Sequence, residues 1–546
     1  MTVRMAPIMK DIGDTVGQSN EITGCSKTPT IPKAEKTAKS EIWVSTFLVL
    51  LFLFHNQALG ADTRESLRQR ILAGDQVSLR ASAPEGARTI EASWIEEAVR
   101  RRVPIHISNA VIQGSLELQN SSVEQEFDLQ ECIFKDYADF SYAIFKRDFL
   151  VSEAAFTAGV SFQSAVFQQR AMFQRTRFEG GPINFADAHF FAEFSAEEAS
   201  FGTKSATAVF VHARFDATAD FAKSVFNIDV MFNSTQFLGT GFFPGARFRG
   251  PYADFSRAHF FDLAIFGGGP PADFNATFEG QAIFTGTQFD SSAVFNGVSF
   301  DGRSGFVGAR FDGDADFETS VFRGPVSFRS AIFHAVYFSK TATGEMPQFG
   351  DDVDLLGCTY DRIEINWPSL LRYPNGQSRI HPYNRQPYVE LEEVLRKAGF
   401  EEGADEVYAE RRRVENGKGF RKLWDRLYWL TANYGIDLWH EFIGSLGFLL
   451  MGMWVLSRPS AVVNGESGSE TTISWWSALC LAVRQFLPFS LPVKPRWTPS
   501  RHVLCRWQRW PLLTAATYAN LLQIVGWILI PLAAAWFAGV LRHAAQ

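Results

Sequence analysis

The chain is poor in the residue types that most often announce chemistry. Its 546 residues hold only five cysteines, Cys25, Cys132, Cys358, Cys480 and Cys505, and no C-x-x-C spacing. Scattered in this way they indicate neither a zinc site nor a disulfide framework. Basic charge is also scarce: 52 Lys and Arg stand against 59 Asp and Glu, for a net charge of −7. That balance argues against a nucleic-acid binder held by phosphate contacts, so no nucleic acid is expected as a partner. There is no P-loop and no strand-linked dinucleotide glycine motif. His440-Glu441 begins like a metalloprotease helix, but Gly444 stands where the second histidine belongs. Gly465-Glu466-Ser467-Gly468 lacks the spacing of a nucleophile elbow. Asp312, Asp314 and Asp316 alternate like the first ligands of a calcium loop, yet Arg323 occupies the twelfth position and no glycine the sixth. They read as outward-facing repeat carboxylates. No catalytic, metal-ligating or cofactor-binding residue is assigned, and neither an enzyme nor a cofactor is expected.

What the chain has in excess is phenylalanine. Of its 52 Phe, 40 fall within residues 134–338, at alternating steps of five and six residues. The series Phe284, Phe289, Phe295, Phe300, Phe306, Phe311, Phe317, Phe322, Phe328 and Phe333 shows the rhythm. On a helix such steps turn through about 140° and 240°, so successive rings would not share a face. On a straight strand a step of five puts neighbouring rings on opposite faces. The chain must turn a corner between rings, and the spacing predicts a β-solenoid with every ring pointing to one axis. Ala, Ser, Thr or Val recurs two positions before the ring, because a narrow solenoid leaves room beside each ring only for a small side chain. Ala-Asp-Phe occurs five times, at residues 138–140, 219–221, 253–255, 272–274 and 315–317.

With these triplets the sequence resembles the pentapeptide-repeat family, whose unit is Ala, then Asp or Asn, then a central Leu or Phe, then two variable residues. The resemblance covers roughly residues 110–340. It implies a right-handed quadrilateral β-helix with four short sides per coil. The sixth residue at every second corner enlarges the coil from about 20 to about 22 residues, which makes about nine coils, or about 45 Å, over residues 134–338. Loops are expected to bulge at Gly180-Gly181-Pro182, near 203–207, at Gly250-Pro251 and at 267–271. Some cytosolic members of the family resemble DNA and bind topoisomerases; an exported rod could not reach such a target.

The full expectation is an all-β right-handed quadrilateral β-helix (solenoid), followed by an α-helical pair and a C-terminal α-helical membrane anchor. Residues 1–60 form a leader with a signal peptide or N-terminal anchor, with an apolar run at 42–54 and small residues at 58–61. The leader before that run is long, so that either Met9 is the start or the segment stays uncleaved. Residues 61–125 form an N-terminal cap, helical to about Arg102. Residues 126–345 form the repeat β-helix. Residues 346–416 form a linker and a helical hairpin, with helices at 387–398 and 401–415. Residues 417–546 form the membrane domain, with an interfacial helix near 421–430 and two transmembrane helices, at 442–457 and 512–541. The stretch 473–487, apolar except for Arg484 and Gln485, is too short to cross and is expected to be re-entrant or interfacial.

Lys and Arg counts on the two sides of the first span tie at seven, so the export signal decides the orientation and points the rod outward. The expected location is a bacterial inner membrane with the β-helix facing the periplasm or exterior. The lipid bilayer is one expected partner. A second is a basic protein on the acidic stretch 254–318, where ten carboxylates meet three arginines. The chain is thus read as a non-enzymatic, membrane-tethered scaffold for protein interaction at the cell envelope. The alternative is a channel or transport-associated protein with a short pore-loop-like segment, which lacks a Thr-Val-Gly-Tyr-Gly filter.

Overall fold

The computed structural model describes residues 64–202, 206–268, 274–338, 347–364, 370–380, 383–415, 438–487, 496–501, 503–507 and 510–537, all within the compact unit Thr63–Gln546. The expected leader and interfacial helix lie outside the described residues.

The phenylalanine rhythm closes into a four-sided coil. Val111–Gln113, Leu116–Glu117, Ser122–Val123 and Phe127–Asp128 make the sides of one coil, and Ile133–Phe134 then returns to pair in parallel with Val111–Gln113. Phe134, Phe156 and Phe178 are register partners, so the coil is 22 residues long. It lengthens to 23 residues between Phe178 and Phe201, 25 between Phe201 and Phe226, 30 between Phe248 and Phe278, and 27 between Phe322 and Phe349. Pairing resumes in register after each insertion, because a loop at a corner leaves the straight sides free to stack. The first three enlargements fall at the expected breaks, 180–182, 203–207, and 250–251 with 267–271; a fourth, between Tyr337 and Gln348, was not expected.

One side carries 12 parallel strands, hence 11 steps, and a second side carries 11 strands. The other two sides merge into one 21-stranded sheet, since Arg310–Asp316 and Ile332–Tyr337 run on around the corner. Eleven steps span about 53 Å at the inter-strand spacing of about 4.8 Å. The solenoid therefore exceeds the nine coils counted on phenylalanine. Its first coils carry Ile112, Leu118, Val123 and Leu129 at buried positions instead.

Rings in successive coils lie face to face, as in Phe284–Phe306 at 4.9 Å and 3°, while rings within a coil meet edge to face, as in Phe284–Phe295 at 5.5 Å and 86°. The edge-to-face contacts suit the aromatic quadrupole, and the parallel ones follow from the ladder, which repeats each ring at about the 4.8 Å spacing of the coils. The five-residue steps are tight corners, closed by bonds such as Ala143 N–H to the Phe140 carbonyl (3.1 Å) and Ala165 N–H to Phe162 (3.0 Å). The residue before the donor is left-handed even when it is not glycine, as at Tyr142 (φ 58°), Ser164 (54°) and Lys223 (55°). Such a conformation costs roughly 1–2 kcal/mol. It persists because the same residues are held in the ladder, Tyr142 donating to Gln163 O at 2.8 Å.

The small column beside the rings also bonds. Thr176, Ser224, Thr235 and Ser320 hydroxyls donate to the carbonyls of Val151, Ala196, Phe210 and Phe295 in the preceding coil, at 2.6–2.8 Å. Cys358 takes the same position with its Sγ 2.6 Å from Phe328 O, and burial pushes the Cys132 and Cys358 thiols up to about 12. They are packing residues at well-separated coils.

The aspartates of the triplets cap the corner that follows, Asp139 accepting from Ser141 N–H (2.9 Å), Asp220 from Ala222 (2.8 Å) and Asp316 from Glu318 (2.9 Å). These are Asx turns. Burial, with Glu197 and Glu193 nearby, raises the Asp220 pKa above its ordinary value. Asn184 makes the equivalent bond to Ala186 N–H at 2.9 Å without a charge. Asp220→Asn should therefore stabilise the rod at neutral pH by about 0.5–1 kcal/mol. The folded carboxyl binds its proton more tightly than the unfolded one, so the wild type gains stability as pH falls through the folded pKa. The advantage of the amide variant should accordingly shrink to nothing in acid. Urea unfolding at neutral and acidic pH checks this, and a constant difference would mean that the carboxylate is not desolvated.

Both ends are covered. Helices α1 (Arg64–Ala73) and α2 (Ala92–Arg100) bury Leu67, Ile71, Ile95, Ala98 and Val99 in the solenoid core. The segment before Arg102 is not continuously helical, however: Thr89–Glu91 between the two helices already pairs with Val111–Gln113. At the far end stand α3 (Gln386–Lys397) and α4 (Glu401–Val414), near the expected positions. Pro387 sits in the first turn of α3, and Gly399 (φ 80°) lets Phe400 N–H return to Leu395 O at 2.9 Å. The Gln386 amide donates to Cys358 O (3.2 Å) and accepts from Gly357 N–H (2.8 Å), satisfying backbone groups that the last coil exposes.

Helices α5 (Leu438–Leu456), α6 (Trp475–Phe486) and α7 (Ala515–Phe537) form a second core with Val455, Leu456, Ala478, Ala482, Phe486, Tyr518 and Leu522. Among the described residues no helix is long and apolar enough to cross a membrane. The expected span at 442–457 is helical through Leu456 but short in itself, and the one at 512–541 begins as a strand. In α5, His440 and Glu441 leave only residues 442–456 uncharged, about 22 Å against a hydrocarbon core of about 30 Å. Residues 512–514 of the second run belong to the strand Trp510–Thr514, paired with Val503–Trp507, and α7 starts only at Ala515. Helix α6, N-capped by Ser474, covers about 18 Å.

Candidate functional site

The carboxylates of residues 254–318 do not share one face. Glu279 and Asp301 follow the register partners Phe278 and Phe300 on one side, whereas Asp290 and Asp312 follow Phe289 and Phe311 on another. Most are engaged within the rod. Glu279 pairs with Arg249 (3.4 Å), Asp290 with His259 (2.9 Å), Asp301 with Arg323, Asp312 with Arg310 (2.8 Å) and Asp314 with Arg362 (3.5 Å). Asp254 and Asp262 accept from Asn233 (2.7 Å) and Thr240 (2.9 Å). Asp273 lies outside the described residues. Asp312, Asp314 and Asp316 each serve a different partner, and among the described residues no group of three or more His, Cys, Asp or Glu could hold a metal. These surface pairs are worth about 0–1 kcal/mol each and remain open to exchange with a partner's charges.

A second surface feature escaped sequence reasoning, although a repeated His-Phe-Phe signals it. His189 stacks on Phe191 at 3.8 Å and reaches Asp216 of the next coil at 2.9 Å; His259 stacks on Phe261 at 3.6 Å and reaches Asp290 at 2.9 Å. Phe191 and Phe261 are nonetheless 48% and 43% exposed, which leaves two aromatic knobs on the same side of the rod, three coils apart.

Among the C-terminal helices the exposed side chains are mainly apolar. Helix α5 presents Phe442, Ile443, Leu446, Leu450, Met451 and Trp454, and α7 presents Leu521, Ile524, Trp527 and Ile528. The intervals of three and four place each set on one helical face. At the start of α6, Trp475 and Trp476 are 62% and 73% exposed. Inside the group the helices approach closely: a Cβ on Gly452 would come within 2.9 Å of Leu522, and one on Gly526 within 1.7 Å of Phe486 O. Gly465-Glu466-Ser467-Gly468 forms the turn between two short strands, with Ser467 bonded to Ser469 (2.8 Å). The side chains of His440 and Glu441 lie outside the described residues.

No curated protein and no solved structure matches the chain. A family model described as pentapeptide repeats (9 copies) matches residues 274–321, and the phenylalanine ladder that continues on both sides of that stretch supports the same repeat family for the solenoid.

Proposed function

We propose that the protein is a non-enzymatic scaffold held on a membrane at the bacterial cell envelope, with the solenoid facing outward and binding a protein partner. The observation that carries the tether is the apolar outer surface of α5 and α7, which surrounds an already complete small core. Large contiguous apolar patches on a folded surface call for a covering partner. A bilayer suits this one, because exposed Trp454, Trp475, Trp476 and Trp527 belong to the residue type that sits at headgroup level. On this reading the apolar outer faces of α5 and α7 enter the bilayer. The partner of the rod is a basic protein meeting, within residues 254–318, the one side on which Asp290 and Asp312 lie beside the Phe261 knob.

Two measurements on the full chain test this. The protein should stay with membranes through high salt and leave only with detergent, and a reporter active only outside the cytoplasm should light up when inserted after Lys340. Release by salt alone would remove the tether, and a silent reporter with an active cytoplasmic one would reverse the orientation. The tight approach of α6 to α5 and α7 argues against a lumen between them, so planar bilayers containing the full protein should show no conductance above background. Currents altered by Arg484→Glu would defeat the scaffold reading.

A further inference from the structure

Three of the C-terminal helices bring one end each to the same small sheet. Val462–Asn464, which follows α5, pairs with Glu470–Thr471, which precedes α6, and with Trp497–Pro499. Ser500 N–H then donates to Ala461 O (2.8 Å), and Ala516 N–H in the first turn of α7 to Ser500 O (2.9 Å). The end of α5 and the starts of α6 and α7 therefore lie together at this sheet. Three of the four exposed tryptophans among the described residues of the helical group stand there: Trp454 in the last turn of α5, and Trp475 and Trp476 at the first two positions of α6.

Two exposed arginines rest against indoles at the same end. Arg458 lies 4.1 Å over the Trp454 ring, and Arg496 lies 5.2 Å from the centre of the Trp497 ring. Arg501, next to Ser500, is a third exposed cation. Among the described residues none of the three forms an ion pair. Glu466 and Glu470 are exposed as well, but Glu470 shares its sheet face with Val463 and Thr498, opposite to the face of buried Val462. From Arg458 to Arg509 the chain carries seven Lys and Arg against these two glutamates. An indole face stabilises a cation that leaves bulk water, and a guanidinium is a forked donor matched to phosphate oxygens. A zwitterionic headgroup would bring its own ammonium to this positive surface, whereas an anionic one brings only the phosphate. The apolar faces of α5 and α7 start from the same end, which favours a lipid over a soluble anion carrier. Resting on the tether reading above, we propose that this end of the helical group recognises anionic phospholipid headgroups, with Arg458 and Arg496 contacting the phosphates.

Full-length protein carried in detergent is diluted into vesicles of phosphatidylcholine alone, or of phosphatidylcholine and phosphatidylglycerol in equal parts, and uptake is read by flotation. Both should take up the protein, the anionic ones about 25-fold better, with the difference shrinking at high salt. Arg458→Gln with Arg496→Gln should remove about fivefold of that preference per residue. Uptake by phosphatidylcholine and the unfolding temperature should not change, since both side chains are exposed. Lysine at both positions keeps the charge and should keep most of the preference. Equal uptake by the two vesicles would overturn the headgroup assignment while leaving the tether in place, and would give the arginines to an acidic protein instead. A preference undiminished by the glutamine changes would overturn the assignment to these two residues. Uptake by neither vesicle would overturn the tether, and this proposal with it.

Discussion

Replacing Phe295 or Phe306 by alanine is expected to cost about 3–5 kcal/mol of rod stability. Both rings are fully buried. Phe295 lies flat against Phe266 and Phe317, each at 4.9 Å, and edge-on to Phe284 and Phe306 at 5.5 and 5.6 Å. The cavity has little means of collapse. The backbone on either side is pinned by ladder bonds, Phe295 N–H to Asp316 O and Phe306 N–H to Ser327 O, both at 2.7 Å. The same change at Phe349, the last ring of its column, should cost less, since it has a ring on one face only. Unfolding of the three variants measures this. A loss below about 1 kcal/mol at both mid-rod positions would mean that the stack relaxes around a missing ring.

A loss of similar size, about 3–5 kcal/mol, is expected from Arg411→Ala in the C-terminal cap. Arg411 and Glu392 are 8% and 7% exposed and lie 3.1 Å apart across α3 and α4. Burial already raises the Glu392 pKa, with Arg411 and Arg396 opposing it. Without Arg411 the carboxylate keeps only Arg396 at 3.3 Å. The folded carboxyl then holds its proton still more tightly than the unfolded one, so the variant should recover stability as pH falls. Replacing both partners, Glu392→Leu with Arg411→Met, should cost far less than the single change, because no buried charge is left alone. A double-mutant cycle at neutral and acidic pH decides the matter. Additive single and double losses would show that the pair is not coupled.

The coil length, the inward rings, the small residue beside each ring and the helical pair were all legible in the linear pattern. Each is repeated or strongly periodic, so many residues say the same thing. The repeat's beginning was less visible, because Ile112, Leu118 and Val123 fill ring positions without belonging to the phenylalanine rhythm. Left-handed corners were also hidden: Tyr142, Arg175 and Lys223 carry no local preference for positive φ and adopt it only because the ladders on both sides leave no other path. The uncharged run at 512–541 read as one continuous span, but antiparallel pairing with Val503–Trp507 takes its first residues into a strand.

Periodicity is thus enough to specify a solenoid and the residues that fill it, since side-chain direction follows from spacing once the chain must turn between rings, whereas its four sides were implied only by the family resemblance. The cleft where residues 370–380 and α4 meet the end of the rod has no such signature. Asp352, Tyr373, Tyr383 and Glu410 lie far apart in the chain, and they meet because α3 packs on the last strand, Thr359–Glu364, and α4 packs on α3. The dispersal of the acidic stretch over separate sides has the same origin. Residues 11 apart in sequence fall on different sides of a 22-residue coil, so a continuous run of charge in the chain becomes several separate ones in space.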